Sequence, residues 1–379
     1  MKNKQDINLI LKMKCLNKKL PVTLKTITTS FLFQLIILSL LISSCESDSN
    51  ESNWVDGNSL SISQYLEINQ KEFSKFHKLM SESKMLNTLY AYNPYGNDYT
   101  LFLPTDEAID NFIKQNQKYA SFEELLKDTG FIKVLARYHT VNRNIHTDEF
   151  PDGALTDKTL TGDRIVTQFF TDGNNQLIKV NNAASVTKSN LKMTNGYIHV
   201  ISEVLKRAEI SGYDWLQQQD GYSILANAVR LSGLRSRLWW DKYTILAEHD
   251  SVYRKNGILT VEDLIARIAT PGMQLSNRNN TFHLFAAYHF VGGEYYLNDF
   301  DWGNKSYTTL ATGKSLAIDV GVEIKINQGI DTYATVSNSG ESMLINYIRP
   351  VWENCNKMTT TGAIHPITDV LHYESFPKK

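Results

Sequence analysis

The sequence predicts an α+β protein that contains two successive copies of one domain. Two observations support this prediction. Four sequence blocks occur twice in the same order along the chain, which indicates a repeated structural unit. Within each copy, helical patterns come first and segments of alternating polarity follow, and this segregation favours an α+β over a βαβ arrangement. We therefore expect each copy to have a β-sheet core with a helical cluster from its N-terminal half.

The first block, at residues 99–106 and again at 243–250, predicts a buried strand that leads into a helix capped near Thr105 or His249. The other three blocks pair 121–125 with 260–264, 134–141 with 284–291, and 192–205 with 357–371. Ser121 with Glu124, and Thr260 with Asp263, predict capping boxes. Alternating segments at 164–169, 177–180 and 315–326, with a turn at 172–173, predict antiparallel strands.

The first 44 residues have the pattern of a targeting sequence. Seven lysines precede an apolar run at 31–42, which ends in Ile42-Ser43-Ser44-Cys45. That ending resembles the bacterial lipobox, and the resemblance implies that Cys45 is acylated and becomes the mature N-terminus, whether translation starts at Met1 or Met13. An uncleaved spanning anchor is the alternative, but the apolar core is short for a bilayer span. The polar, acidic segment at 45–58 predicts a flexible tether.

Charge and cysteine content limit the possible partners. After cleavage, 32 basic and 39 acidic residues remain, a net charge of about −7. This balance argues against nucleic acid and against anionic lipid surfaces, so the expected membrane contact is through the lipid on Cys45. Cys355 is then the one remaining cysteine of the sequence, which excludes an intramolecular disulfide and favours a small residue in or near the core.

The repeated blocks resemble the fasciclin (FAS1) domain, in a tandem arrangement on a bacterial lipoprotein. The resemblance rests on a strand that ends in Phe102-Leu103-Pro104-Thr105-Asp106, a helix that ends in Tyr138-His139, and the closing Asn195-Gly196-Tyr197-Ile198-His199. It implies a first fasciclin-like domain at 59–210 and a more divergent second one at 211–379. The second copy lacks the proline and has insertions around 235–242 and 298–306.

The Tyr-His pairs, Tyr138-His139 and Tyr288-His289, lie where the resemblance implies a link to adhesion in some fasciclin domains. A structural role, with the imidazole bonded to the backbone, is the favoured interpretation because buried polar groups are usually satisfied rather than reactive. His199 and His365, on predicted strands beside isoleucines, have the same interpretation.

Several catalytic and ligand-binding patterns are weighed and rejected. Gly313-Lys314-Ser315 lacks the earlier glycine of a phosphate-binding loop, so we interpret it as a turn that enters a strand. The segment at 299–304 faintly suggests a calcium loop but lacks the acidic twelfth residue. The sequence contains no nucleophile elbow, zinc-protease or dinucleotide motif. We expect no enzyme activity, no catalytic residues, no cofactor and no metal.

The strongest candidates for binding are aromatic side chains near the insertions of the second copy. They are Trp239, Trp240, Trp302, Tyr295 and Tyr296. Core packing is the alternative for each of them. As an exposed platform, they would suit a sugar ring or a partner protein.

Together these features predict a surface-exposed, lipid-anchored outer-membrane protein that acts as an adhesion or interaction module. Its expected partner is a protein or a polysaccharide at the cell surface. The resemblance extends to accessory subunits of SusC/SusD-type importers, which would capture glycan or brace the importer complex. A glycan-active hydrolase with an unrecognised pair of carboxylates is the alternative function.

Overall fold

The computed structural model describes residues 60–90, 98–172, 175–320, 324–327, 351 and 354–371. The chain separates into two compact units, Met1–Val55 and Asp56–Lys379, and the described residues all belong to the second. The predicted signal sequence, the tether and Cys45 lie outside the described residues. In the part of the chain that is described, no helix is long and apolar enough to cross a bilayer.

The first repeat, at residues 59–210, has six helices in its described part before most of its strands. The helices are α1 (Ile62–Ile68), α2 (Gln70–Glu82), α3 (Met85–Tyr90), α4 (Asp106–Gln115), α5 (Phe122–Lys127) and α6 (Thr129–Tyr138). The strands are β1 (Tyr99–Pro104), β2 (Thr140–Val141), β3 (Gly153–Ala154), β4 (Val166–Asp172), β5 (Asn175–Val180), β6 (Ala184–Met193) and β7 (Gly196–Ile201). These strands form one sheet in the order β2-β1-β7-β6-β5-β4-β3. Only the β1–β7 pair within it is parallel.

The second repeat, at residues 211–379, follows the same plan within its described residues. Its helices are α7 (Gly212–Gln218), α8 (Ser223–Leu231), α9 (Asp250–Lys255), α10 (Val261–Ile268) and α11 (Thr281–Tyr288). Its strands are β8 (Tyr243–Glu248), β9 (Phe290–Gly292), β10 (Gly303–Thr308), β11 (Ser315–Val320), β12 (Ile324–Asn327), β13 (Lys357–Thr359) and β14 (Gly362–Ile367). They form a four-stranded sheet, β13-β14-β8-β9, and a three-stranded sheet, β10-β11-β12. The β14–β8 pair is parallel, as β1–β7 is in the first repeat.

An aspartate at the end of the first block holds the helices against the sheet in both repeats. Asp106 Oδ2 accepts a hydrogen bond from Ser74 Oγ at 2.5 Å, and Asp250 Oδ2 accepts one from Ser223 Oγ at 2.7 Å. The Asp250 carboxylate therefore caps the start of α8, and the Asp106 carboxylate caps the part of α2 that follows the kink at Phe73. A negative charge at these positions also interacts favourably with the helix dipole.

A glycine allows the parallel strands to approach each other. Gly196 has φ +147°, and a Cβ there would lie 1.8 Å from the carbonyl oxygen of Tyr99. Gly362 has φ +135°, and its Cβ would lie 1.9 Å from the carbonyl oxygen of Tyr243. Any larger residue would push β7 away from β1, or β14 away from β8.

These contacts confirm the predicted α+β class, and most of the local predictions agree with them. Thr105 and His249 are the N-caps of α4 and α9, and Thr260 forms a reciprocal capping box with Asp263. The predicted box at Ser121 is different. Ser121 Oγ does accept from the backbone of Glu124 at 3.3 Å, but the Glu124 carboxylate bonds to the N–H of Ala120.

Candidate functional site

His139, at the end of α6, is fully buried and bonded to the backbone on both sides of its ring. Nδ1 lies 2.8 Å from the carbonyl oxygen of Leu135, so this nitrogen must carry a proton. Nε2 accepts from the backbone N–H of Leu205 at 3.0 Å, so it must carry a lone pair. The ring is therefore neutral, and burial lowers the pKa of His139 to about 4. This geometry agrees with the structural role.

His289, at the equivalent position of the second repeat, has a different partner. Nδ1 again lies 2.8 Å from a carbonyl oxygen, that of Phe285. Nε2 lies 2.8 Å from Oε1 of Glu248, which stands where the first repeat has Pro104. The same Oε1 accepts from the backbone N–H of Leu371 at 2.8 Å, so the carboxylate has replaced the imidazole as acceptor for that N–H.

Glu248 and His289 therefore share one proton between Oε1 and Nε2, because two lone pairs at 2.8 Å would repel each other. Tyr253 donates to Oε2 at 3.1 Å, and burial raises the pKa of the Tyr253 hydroxyl. The carboxyl group of Glu248 therefore accepts two further hydrogen bonds, one from the Tyr253 hydroxyl and one from the backbone N–H of Leu371. All three side chains are fully buried, which places this polar cluster out of reach of a substrate.

The strand histidines have the same surroundings in both repeats. His199 Nδ1 accepts from the N–H of Asn190 at 3.2 Å, and its Nε2 lies 2.9 Å from the oxygen of Ile145. His365 makes matching contacts with the backbone of Asn356 and Tyr295. Burial lowers the pKa of both rings to about 4. These side chains connect the sheet to a neighbouring loop.

Cys355 is fully buried, and burial raises the pKa of its thiol. Its Sγ lies 3.2 Å from the carbonyl oxygen of Val351. Its own carbonyl oxygen accepts from side chains of the first repeat, Gln168 at 3.4 Å and Asn182 at 3.3 Å. The residue is thus a buried packing residue beside the first repeat.

The two repeats are joined by an inter-repeat contact, formed by Ala154 and Arg164 of the first repeat with Asn298 and Asp299 of the second. The Asn298 amide accepts from the N–H of Ala154 at 2.8 Å and donates to its carbonyl oxygen at 2.9 Å. It thereby pairs with the edge strand β3 as another strand would. The Arg164 guanidinium binds both oxygens of Asp299, one of them at 2.8 Å.

Tyr296 lies in this contact, so its prediction as part of an exposed aromatic platform requires correction. The side chain is 2% exposed and packs with Ala154, Val166 and Ala363. The Arg164 guanidinium lies 5.1 Å from the centre of its ring. Since Asp299 binds Arg164, the weakly suggested calcium loop begins with a carboxylate that is already paired.

The three tryptophans are exposed. Trp239 is 55%, Trp240 89% and Trp302 74% exposed. Tyr295 is half-buried and stacks on Phe300, with ring centres 5.5 Å apart. Exposure is compatible with the predicted binding role of the tryptophans, whereas the Tyr295 ring also packs against the core.

Two cavities accompany these features. One, of about 710 Å³, lies between the repeats, and the other, of about 570 Å³, lies in the first repeat beside Phe131 and Val134. The carboxylates that line the larger one are each next to a cation: Asp163 next to Arg207, Glu294 next to Lys242, and Asp299 next to Arg164. Gly313, weighed as a phosphate loop, lies in a turn before β11.

Sequence reasoning missed Glu248 and the inter-repeat contact. A charged residue at the end of the otherwise uncharged segment 243–248 was the available signal for Glu248. Asn298 and Asp299 lie in a segment that was identified as an insertion, but their partners are 144 and 135 residues away in the sequence.

A model of the Fasciclin domain family matches residues 71–207. Transforming growth factor-beta-induced protein ig-h3 of Sus scrofa is 25% identical over 275 residues, 72% of this chain and 34% of that protein. Periostin of Homo sapiens is 29% identical over 202 residues, 51% of this chain and 21% of periostin. The chain thus spans about a third of the length of the porcine relative.

Among solved structures, a FAS1 domain pair from the insect cell adhesion molecule Fasciclin I is similar at 15% identity and a TM-score of 0.35, and the match covers 79% of this chain and 97% of that one. The matched residues 71–207 include the whole seven-stranded sheet and the Tyr138-His139 pair. Over residues 71–207, the chain is therefore similar to the fasciclin (FAS1) domain family.

Proposed function

We propose that this chain is a lipid-anchored interaction module at a bacterial cell surface, which binds a polysaccharide or a surface protein without chemical turnover. One observation carries the proposal: the second repeat exposes three tryptophans, while the core of that repeat is built without them. Burying a large aromatic side chain against a partner is a common source of binding energy, and its exposure in the free protein has a cost.

The surroundings of four histidines support a binding role over a catalytic one. His139, His199, His289 and His365 are buried and hydrogen-bonded within the fold. The carboxylates of the larger cavity each have a cationic neighbour. A glycoside hydrolase needs two carboxyl groups that reach the sugar. The cavity carboxylates suit that role poorly because each is held by a neighbouring cation.

The proposal has three further parts: the chain is anchored through Cys45, it is displayed on the outer membrane, and it is an accessory subunit of a SusC/SusD-type importer. They rest on the Ile-Ser-Ser-Cys sequence and the acidic segment that follows it. The match of residues 71–207 to the Fasciclin domain family supports adhesion as the more general role.

The test compares binding and turnover for a panel of polysaccharides, using membranes that carry the chain. Trp302→Ala should weaken binding of the recognised polysaccharide by about tenfold or more, because an aromatic side chain at a contact contributes about 2 kcal/mol. Leu259→Ala, a 64% exposed residue of the same repeat, serves as the control. Cys45→Ser should release the chain, with its polysaccharide binding intact, from carbonate-washed membranes.

Release of shortened products from any polysaccharide would favour the hydrolase. Binding that is unchanged in Trp302→Ala would contradict the tryptophan surface, and a Cys45→Ser chain that stays in carbonate-washed membranes would contradict the lipid anchor.

A further inference from the structure

Trp239 and Trp240 have surroundings that Trp302 lacks. They lie at the end of the 3₁₀ helix Leu234–Trp239, a segment that we call the Trp-Arg segment and define as residues 234–242. Its exposed side chains include Arg235, Arg237 and Lys242 as well as the two tryptophans. From the sequence, Asp241 is its one acidic residue.

The core holds this segment in place. Leu234 and Leu238 are 0% and 2% exposed and belong to the core of the second repeat. With these two side chains fixed inside, Trp239 and Trp240 are directed outward as a fixed apolar projection. The segment therefore presents its aromatic side chains without having to fold when a partner arrives.

Two of the three cations beside the tryptophans have no carboxylate partner. Among the described residues, Arg235 and Arg237 have no carboxylate at ion-pair distance, and the Arg235 guanidinium lies 5.3 Å from the ring centre of Tyr213. Asp241 accepts a hydrogen bond from Tyr243 at 3.0 Å, so it is directed to the protein. Lys242 lies 3.8 Å from Glu294.

We propose that the Trp-Arg segment binds the surface of a lipid bilayer that contains anionic headgroups. Tryptophan is enriched at the membrane–water interface because its ring is apolar and its N–H can still bond to water or headgroups. Guanidinium groups bind phosphate through paired hydrogen bonds. Two adjacent exposed tryptophans between such cations have the composition of an interfacial anchor.

The negative net charge of the whole chain does not oppose this contact. At about 0.1 M salt, charges separated by more than roughly 10 Å are largely screened from each other. The charges that decide the contact are therefore the local ones: Arg235 and Arg237 have no carboxylate at ion-pair distance among the described residues, whereas Lys242 is next to Glu294. The inference rests on the proposed interaction role. It names the partner of Trp239 and Trp240 and leaves the polysaccharide or protein partner to Trp302.

The experiment uses the mature chain with Cys45→Ser, so that no acyl group contributes to binding. Partitioning is measured by co-sedimentation with vesicles of phosphatidylcholine alone or mixed with phosphatidylglycerol, together with tryptophan fluorescence. We expect binding to the mixed vesicles, a blue shift of the emission, and weaker binding at high salt.

Two double variants should reduce partitioning into mixed vesicles. W239A/W240A should reduce it about tenfold or more, because interfacial binding scales with buried apolar area, and should remove the blue shift. R235Q/R237Q should reduce partitioning by about 25-fold, because each cation near an anionic surface contributes a factor of about five. Trp302→Ala and K255Q/K305Q are the controls, and they should bind as the parent does.

The inference is overturned if the parent does not bind mixed vesicles, or if W239A/W240A binds them as well as Trp302→Ala does. Equal binding to vesicles of phosphatidylcholine alone would also overturn it, because the cations would then contribute nothing. If the segment's true partner were an acidic protein, the parent would not bind the mixed vesicles. Loss of polysaccharide binding in Trp302→Ala is measured separately, so failure here leaves the proposed function intact.

Discussion

His139 and His289 occupy the same position in the two repeats but have different hydrogen-bond partners. The first accepts the N–H of Leu205 directly and is neutral. The second meets Glu248, which accepts the N–H of Leu371 and shares a proton with the ring. One substitution in the strand, from proline to glutamate, thus changes a buried neutral histidine into half of a buried acid–base pair. The Tyr-His motif fixes where the ring lies, and the residue at the end of the neighbouring strand decides which group its Nε2 meets.

The largest expected effect comes from removing one member of that pair. Glu248→Ala should lower the free energy of unfolding by about 3–5 kcal/mol, because it leaves His289 and the N–H of Leu371 without their acceptor. His139→Ala in the first repeat should cost less, about 1–3 kcal/mol, since no charge is left behind. Chemical denaturation of both variants makes the comparison.

Glu262→Ala is the matched control, because this glutamate is exposed on α10 of the same repeat. Its free energy of unfolding should stay close to that of the parent. If Glu248→Ala were no more destabilising than His139→Ala, the two repeats would not differ in the way the geometry indicates.

The sequence alone predicts the parts of this comparison that depend on local chemistry. Thr105 and His249 have the residue types and positions of helix caps, and the structure confirms both. For Glu248 the local signal is only a charge at the end of an uncharged segment, because its partner is 41 residues away and only the fold brings the two side chains together.

The same dependence on distant contacts explains why the prediction for Tyr296 required correction. Tyr295 and Tyr296 are adjacent and chemically alike, yet one stacks on Phe300 while the other is buried against the first repeat. Their surroundings depend on how the two repeats pack. An insertion marks a possible contact surface in a sequence, but not whether it faces solvent or the other half of the same chain.

Acidification gives the second prediction. The pKa of His139 is about 4 in the folded chain and about 6.5 when unfolded, so between these values the unfolded state binds more protons. Stability due to the neutral ring is therefore fully present above about pH 6.5, falls as the pH is lowered, and is lost by about pH 4. The loss corresponds to roughly 3 kcal/mol.

The difference between the parent and His139→Gln isolates this contribution. From pH 7 to 4, the free energy of unfolding of the parent should fall about 3 kcal/mol further than that of the variant. His199→Gln should reduce the pH dependence by a similar amount, because burial also lowers the pKa of His199 to about 4. If the parent and His139→Gln lost equal stability between pH 7 and pH 4, the neutral ring of His139 would not be the cause.

The smallest expected effect concerns the contact that joins the repeats. Asn298→Ala removes both side-chain hydrogen bonds to Ala154, but water can replace them at an edge strand, so the cost should be about 1–2 kcal/mol. Arg164→Ala leaves Asp299 without its cation and should have a similar cost. Because both changes act on one contact, the double variant should lose less than the sum of the two single losses.

The more informative result is the shape of the unfolding curve. In the parent, the inter-repeat contact should make the two repeats unfold together, whereas in the double variant calorimetry should resolve two transitions. Asn304→Ala, at an exposed position of the same insertion, should keep the parent's curve. A single transition in the double variant would mean that the repeats are coupled through the apolar packing around Tyr296 and not through the polar side chains of Arg164, Asn298 and Asp299. In that case Tyr296→Ala would be the substitution that separates them.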